Sequence, residues 1–544
     1  MTLLRQLVAA LAVSVRNPEI RRAELAWASA ITAEWAHFVA FGVYAYEQGG
    51  AAAVGIAGLV RLLPAAIIAP FAASLGDRFR RERFLLAMSL LGSLALGASA
   101  AAAYADAVVL VFAFAALFGL ACTLIGPTLH ALLPSLARTP EELIASNAAT
   151  STIESLGTLV GPLLAGVLVS VADVGLVFAL GAAALLLGAA FLALVRVEGG
   201  IDLAAAAAAE GGARRVLVAG FRTIARAPRA RLVISLIAAQ AFVRGCLNVL
   251  IVVAAFQLFD AGGEAVGYLT AAVGVGGLVG AMGAMTLGGR RLAVTFGLSL
   301  VFWGAPIMLL APWPSIAPAI LLLAVVGAAN SVEDVAVATL LQRIVPNEIL
   351  TRVLGVLWAL AMGGVALGSI AAPLLIEGIG PRGAFVAVGS ILPLLALVTY
   401  SRLAEIDRSV VPAPALGLIE RVPIFAPLSV AAKERVAGNL VPLSVPAGEL
   451  VIRAGDVGDR FYIVDDGELE ILAEGFQKTV RRSDYFGEIA LLRDVPRTAT
   501  VTATIDSELY ALQREDFLEA VTGVEAAHAA GHAVAEQRLA QLTS

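Results

Sequence analysis

Residues 486–501 read Phe-Gly-Glu-Ile-Ala-Leu-Leu-Arg-Asp-Val-Pro-Arg-Thr-Ala-Thr-Val. These residue types in this order suit the capture of a small phosphodiester. Such a ligand carries one negative charge spread over two exposed oxygens, and Arg497 offers a planar fork of donors that fits them. A short helix starting after Gly487 points the free N–H groups of Ile489 and Ala490 at the same oxygens. Glu488 can accept a hydrogen bond from a sugar hydroxyl. Thr498 and Ala499 continue the segment beyond the arginine.

Such a cradle needs a framework of turns and strands. Leu443–Ile452, Phe461–Val464, Leu469–Ala473, Lys478–Arg481, Ala499–Thr504 and Leu509–Leu512 have strand composition, with Gly448, Gly455, Gly458, Gly467 and Gly475 between them as turn residues. Many short strands with regular glycines predict a jelly-roll-like barrel. Polar helices flank it, so we expect a mostly-β domain over 418–523, a C-terminal helix over 524–544, and a linker over 403–417 marked by Pro412, Pro414 and Gly417.

The rest of the chain has a different composition. The whole sequence is 60% hydrophobic and 15% charged, with a mean hydropathy of +0.90, whereas a soluble domain is about half apolar and about a quarter charged. A bilayer core takes about 20 apolar residues per helix. Candidate spans are 23–46, 51–73, 84–104, 107–133, 145–172, 174–195, 231–259, 264–287, 292–311, 314–341, 350–376 and 383–402. Connections on one side carry Asp77 to Arg83, Arg138, the arginines of 196–231, Arg290, Arg291, Arg343 and Arg352. Those on the other carry Glu47, Asp106, Asp173, Asp260 and Glu264, with Arg382 the one basic residue. Positive charge stays inside, which places both termini in the cytoplasm. The fold class expected is an all-α polytopic membrane domain of twelve transmembrane helices in two six-helix halves (23–195 and 231–402), followed by a mostly-β cytoplasmic jelly roll with flanking helices. Residues 1–22 read as an amphipathic surface segment rather than a cleaved signal. The loop 196–230 reads as basic and cytoplasmic, either on anionic headgroups or in solvent. Cys122 and Cys246 fall in apolar runs and read as packing residues.

Ionisable groups inside spans mark function by default, because burying charge in lipid is costly. Glu34 and His37 lie in span one, Arg61 in span two and Glu154 in span five. Gln240, Arg244 and Asn248 share one face of span seven, and Asn330, Glu333 and Asp334 lie in span ten. We expect them to line a transport cavity, with the four carboxylates as proton or cation sites and the arginines as counter-charges; structural ion pairs are the competing reading.

Two resemblances follow. Residues 15–402 resemble the major facilitator superfamily, in particular bacterial drug and siderophore exporters. Ala73-Ser74-Leu75-Gly76-Asp77-Arg78-Phe79-Arg80-Arg81 is similar to its motif A, which implies gating roles for Asp77, Arg78 and Arg81. Gly157-Thr158-Leu159-Val160-Gly161-Pro162-Leu163-Leu164-Ala165-Gly166 is similar to its exporter motif C, which implies close helix approach at Gly157, Gly161 and Gly166 and a bend at Pro162. Residues 486–499, with the turns at Gly455–Tyr462 and Asp466–Glu470, resemble cyclic nucleotide-binding domains. That resemblance implies Glu488 on the ribose 2′-hydroxyl and Arg497 on the phosphate, nine positions apart as in binding-competent members. Thr498 weakly suggests cyclic GMP, but cyclic AMP is favoured as the commoner bacterial messenger. Together the resemblances imply a secondary transporter, an exporter of small molecules, regulated by a cyclic nucleotide as ligand and having no other cofactor and no metal. Expected partners are the lipid bilayer, a small-molecule substrate and protons or cations, with no nucleic acid and a monomeric state. The Ala and Arg bias points to a bacterium and so to its inner membrane. Without a nucleophile constellation or P-loop the chain is not expected to be an enzyme. A membrane-tethered receptor without transport, or a carrier with a non-binding tail, are the rival readings.

Overall fold

The computed structural model describes residues 17–77, 79–137, 139–196, 227–284, 291–345, 347–408, 413–428, 430–473, 475–522 and 525–543. The chain divides into two compact units, Met1–Ala404 and Glu405–Ser544.

The described secondary structure of the first unit is helical: α1 Pro18–Asp77, α2 Arg81–Tyr104, α3 Val108–Leu136, α4 Pro140–Val171, α5 Val174–Ala193, α6 Pro228–Val253, α7 Gly262–Ala284, α8 Leu292–Leu309, α9 Ile316–Ile344 and α10 Asn347–Arg408. A wider π-type turn, Ala254–Leu258, extends α6. The two longest helices are each broken by a glycine. Gly50 (φ +61°) interrupts α1 and Gly380 (φ +75°) interrupts α10. A side chain disfavours that left-handed backbone, so glycine is where a membrane helix can stop and the chain re-enter. Both breaks fall in the gaps expected between spans, 47–50 and 377–382. Nine helices among the described residues are long and apolar enough to cross a membrane, with Val353–Asp407 taken as one. Of the expected surface segment 1–22, residues 18–22 instead begin α1, because Asn17 caps it: its Oδ1 accepts from Glu19 N at 3.1 Å, and its Nδ2 donates to Leu136 O at 3.0 Å and Glu142 Oε2 at 2.9 Å. Residues 1–16 and most of the loop 196–230 lie outside the described residues.

Small residues set the helix spacing. A Cβ on Gly161 would stand 2.7 Å from Trp35 Cβ and 2.8 Å from Thr32 O; one on Gly157 would stand 2.5 Å from Ile31 Cγ2. Gly166 meets Gly267 of α7 in the same way. Motif C thus packs α4 on the first part of α1 and on α7. Among the described residues the two halves touch near Glu47, Asp260 and Glu264, with Gly166 on Gly267, Gly42 on Val252, Gly55 on Pro373 and Tyr46 stacked on Phe256 at 4.3 Å, and further along with Gly274 on Thr158 and Gly58 on Ser369.

The second unit begins with α11 Ala413–Arg421 and α12 Val430–Gly438, then β1 Val441–Val445, β2 Leu450–Ile452, β3 Arg460–Asp466, β4 Glu468–Ala473, β5 Phe476–Arg481, β6 Tyr485–Phe486, α13 Glu488–Arg493, β7 Thr500–Ala503, β8 Ser507–Gln513, α14 Arg514–Thr522 and α15 Glu525–Thr543. Two antiparallel sheets, β1-β8-β3-β6 and β2-β7-β4-β5, face each other. Val464, Leu469, Val480, Phe486, Val501 and Leu509 fill the space between them. A second core packs the helices on β3 through Phe425, Phe461 and Phe517, with Phe461 stacked on Phe517 at 4.8 Å. The strand expected over 443–452 is two strands, because the segment turns at Gly448 (φ +85°). The expected linker 403–417 is largely helical, being shared by the end of α10 and by α11.

Candidate functional site

The pocket of the second unit is built around α13. Gly487 precedes that helix at φ +91°, and a Cβ there would stand 2.8 Å from Arg497 Nη1. Only glycine lets the backbone turn here and still touch the guanidinium. Ile489 and Ala490 occupy the helix's first turn, where N–H groups have no intrahelical acceptor. Gly487, Glu488, Ile489, Ala490, Arg497, Thr498 and Ala499 all line one hollow, whose apolar wall includes Ile452, Ile471, Val480 and Val501. The sequence motif therefore converges in space.

Arg497 is 5% exposed. Its Nη1 donates to Gly487 O at 3.0 Å, and its Nη2 donates to Arg460 O at 2.7 Å and Asp459 Oδ1 at 3.2 Å. Its own backbone N donates to Asp456 O at 2.8 Å, which pins the arginine to the loop between β2 and β3. These bonds occupy three of the five guanidinium N–H groups and leave two for an anion.

Glu488 is 1% exposed. Its Oε1 accepts from Arg538 Nη1 at 2.8 Å, whereas its Oε2 is buried with no partner among the described residues. Burial pushes the carboxyl above its ordinary range, and the nearby Arg538 charge opposes that shift. A buried oxygen without a donor is destabilising until one arrives, and a ligand hydroxyl would supply it.

Sequence reasoning missed Arg538. It reaches the pocket from α15, donates to Tyr485 O at 2.9 Å, and lies over the Tyr485 ring at 4.2 Å. Arg538 is the one arginine of 525–543, but nothing local in that helix marks it as a pocket contact. Lys478 also lines the pocket; in the sequence it is only one polar residue of a strand.

The membrane unit contains a second hollow with two connected lobes that share Trp35, Phe38, Arg244, Asn248, Ile251 and Thr270. Glu34 and Arg61 line one lobe, and Glu154 and Asn330 the other. Arg61 Nη2 lies 3.4 Å from Glu34 Oε1, with its guanidinium over Phe38 at 5.0 Å. Arg244 Nη2 donates to Asn330 Oδ1, with its guanidinium over Trp303 at 5.9 Å. Glu154 Oε1 lies 3.9 Å from His130 Nε2. Four residues expected at the cavity are absent from its lining. His37 is buried among Phe41, Phe118 and Phe178, with neither ring nitrogen bonded among the described residues. Gln240 and Glu333 are buried, and Asp334 stands behind Asn330, accepting from its Nδ2 at 2.9 Å. Helical spacing gave these residues a face but not the direction in which that face points. The aromatic lining (Trp35, Phe38, Trp303, Trp358) was missed because aromatic residues in a span look like lipid contacts. Glu24, buried and accepting from Thr150 Oγ1 at 2.7 Å, is another intramembrane carboxylate that was passed over.

Of the motif A residues, Arg81 donates to Ala131 O at 2.7 Å, tying the start of α2 to α3. Asp77 is placed only as the last residue of α1, and Arg78 lies outside the described residues.

Comparison with known proteins finds a family match within each part. Residues 25–293 match the Major Facilitator Superfamily, and residues 442–522 match the cyclic nucleotide-binding domain. The second region is similar to the cAMP-dependent protein kinase regulatory subunit of Emericella nidulans, at 38% identity over 112 residues, 20% of this chain and 27% of that protein. It is also similar to the regulatory subunit of Schizosaccharomyces pombe, at 37% over 103 residues, 19% of this chain and 25% of that protein. The chain thus spans about a quarter of the length of the curated relatives it matches. A solved structure described as "Sp-2Cl-cAMPS bound to PKAR CBD2" matches at 29% identity, covering 23% of this chain and 87% of that one, with a TM-score of 0.21.

Proposed function

We propose, for a chain that carries a Major Facilitator Superfamily domain followed by a cyclic nucleotide-binding domain, that it is a secondary carrier, an exporter of small molecules, whose cycle is biased by a cyclic nucleotide. The observation that carries the regulatory half is the meeting of Arg497, with two N–H groups to spare, and Glu488, with a bare buried oxygen, in one hollow. A cyclic phosphate takes the first and a ribose 2′-hydroxyl the second. Cyclic AMP is favoured over cyclic GMP, because the relatives named above are cAMP-dependent.

The carrier half is supported by a hollow lined by charged residues from both halves, which suits rocking of two halves around a central site. Residues named as proton or cation sites that face the hollow are Glu34 and Glu154. Glu333 and Asp334 act, in this reading, through Asn330. The setting is a bacterial inner membrane with both termini cytoplasmic, and the chain acts as a monomer. That setting rests on composition and loop charge, since the relatives of the nucleotide domain named above are fungal.

Regulation requires the nucleotide to bind one carrier state better than the other. Arg538 provides a physical handle, because a ligand hydroxyl on Glu488 alters the partner that holds α15. Calorimetric titration of the full chain with each nucleotide tests the reading. Saturable binding that Arg497→Lys removes supports it, and no binding of either nucleotide returns the domain to a structural tail. Flux that is absent with binding intact favours the tethered receptor.

A further inference from the structure

Two guanidinium groups face the membrane hollow, each over an aromatic ring, and they differ in what neutralises them. Arg61 has the Glu34 carboxylate at 3.4 Å. Arg244 occupies the corresponding role in the other half, but its side-chain acceptor is the Asn330 amide, which carries no charge. The same amide oxygen also accepts from Trp303 Nε1 at 3.3 Å and Gln240 Nε2 at 3.5 Å, so it is shared among three donors. Asp334 is one hydrogen bond further back, behind Asn330, and it and Glu333 reach Arg244 only through longer-range electrostatic attraction. Among the described residues Arg244 has no carboxylate within ion-pair distance. Glu154, on the same lobe, has its own neighbour in His130.

Arg244 is thus a cation in a largely apolar cavity whose bonded acceptor is an overcommitted amide, while the Glu333 and Asp334 carboxylates act on it only at longer range, so its fork meets no bonded anion among the described residues. We propose that the hollow takes an amphipathic organic anion, with a carboxylate or comparable oxyanion on Arg244 and an apolar body against Trp35, Phe38 and Trp303. This rests on the carrier reading and adds the substrate class to it. The guanidinium fork matches a carboxylate. The flanking rings match a flat hydrocarbon body. The arrangement disfavours a simple organic cation, which would meet Arg244 head-on while finding Glu34 already paired.

Three tryptophans in the lining, Trp35, Trp303 and Trp358, give an optical readout in the purified full-length protein. The probes are naphthoate, its methyl ester and naphthylmethylammonium, which share a ring and differ in charge. Naphthoate is expected to quench saturably and to bind at least about tenfold more tightly than either analogue, the worth of a charge-assisted bond. Arg244→Gln should abolish that preference, and Arg244→Lys, which keeps the charge, should retain part of it. Equal affinity for the three probes, preference for the ammonium, or a preference that survives Arg244→Gln would overturn the proposal. The same probes in proteoliposomes separate the two readings. Binding of the anion without flux of any probe counts against the carrier and leaves the site standing. Flux confined to the ammonium leaves the carrier and removes the anion site.

Discussion

The nucleotide pocket and the membrane hollow were both approached through charged residues, yet the structure treats them differently. In the pocket, seven predicted residues line one hollow. In the membrane, Glu34, Arg61, Glu154, Arg244, Asn248 and Asn330 reach the hollow, while His37, Gln240, Glu333 and Asp334 do not. The pocket's residues belong to one continuous turn-helix-turn, so sequence order fixes their geometry. The hollow's residues come from separate helices, and rotation about each helix axis is set by partners far along the chain. A local motif therefore carries its own geometry, whereas a rule about buried charge identifies residues without aiming them.

The widest test of that contrast is at Arg497. Its replacement by Lys retains charge but loses the fork, and nucleotide affinity is expected to fall by about 100-fold, the worth of two charge-assisted bonds. Calorimetry of the full chain measures it, and transport without nucleotide should be unchanged. The mirror experiment is Gly161→Val. The added methyls collide with Thr32 O and Trp35 Cβ, with an overpacking cost of about 1–3 kcal/mol. Flux should drop while nucleotide affinity stays at the wild-type value; a loss of both would mean that the two units are not separable as described.

Arg538→Gln sharpens the comparison on a smaller scale. It frees Glu488 from α15 while leaving Arg497 in place. Nucleotide affinity should change by less than for Arg497→Lys, and the nucleotide's effect on flux should weaken, since coupling of this kind is worth about 1–3 kcal/mol. An unchanged effect on flux would remove α15 from the relay. The smallest expected effect concerns pH. Burial raises the Glu488 carboxyl above its ordinary 4.5. A carboxyl raised on folding holds its proton more tightly in the folded state. Its contribution is complete below the unfolded value and is lost as pH rises through the folded one. Thermal unfolding of the second unit should therefore show a stability that declines over that window, and Glu488→Gln should flatten the decline.

Much of the architecture was legible because its signals are physical. Apolar runs separated by arginine-rich and acidic connections marked the helices, and the breaks at Gly50 and Gly380 fall where charge and glycine interrupted those runs. Glycines in motif C pointed to close helix approach, and Gly161 makes it. The short strand Tyr485–Phe486 and the pocket contact of Arg538 were not legible. Each depends on a partner distant in sequence: β6 exists through pairing with Tyr462 and Ile463, and Arg538 matters only because α15 folds back on Glu488.

The central claim is that nucleotide occupancy of the Arg497 pocket alters transport. The direct measurement is flux of one substrate through the full chain in proteoliposomes, with and without saturating cyclic nucleotide on the face bearing the C-terminal unit, for wild type and Arg497→Lys in parallel. We predict a nucleotide-dependent change in wild-type flux of about fivefold or more and none in the variant. Identical wild-type flux with and without nucleotide, in a preparation shown to bind it, would contradict the account.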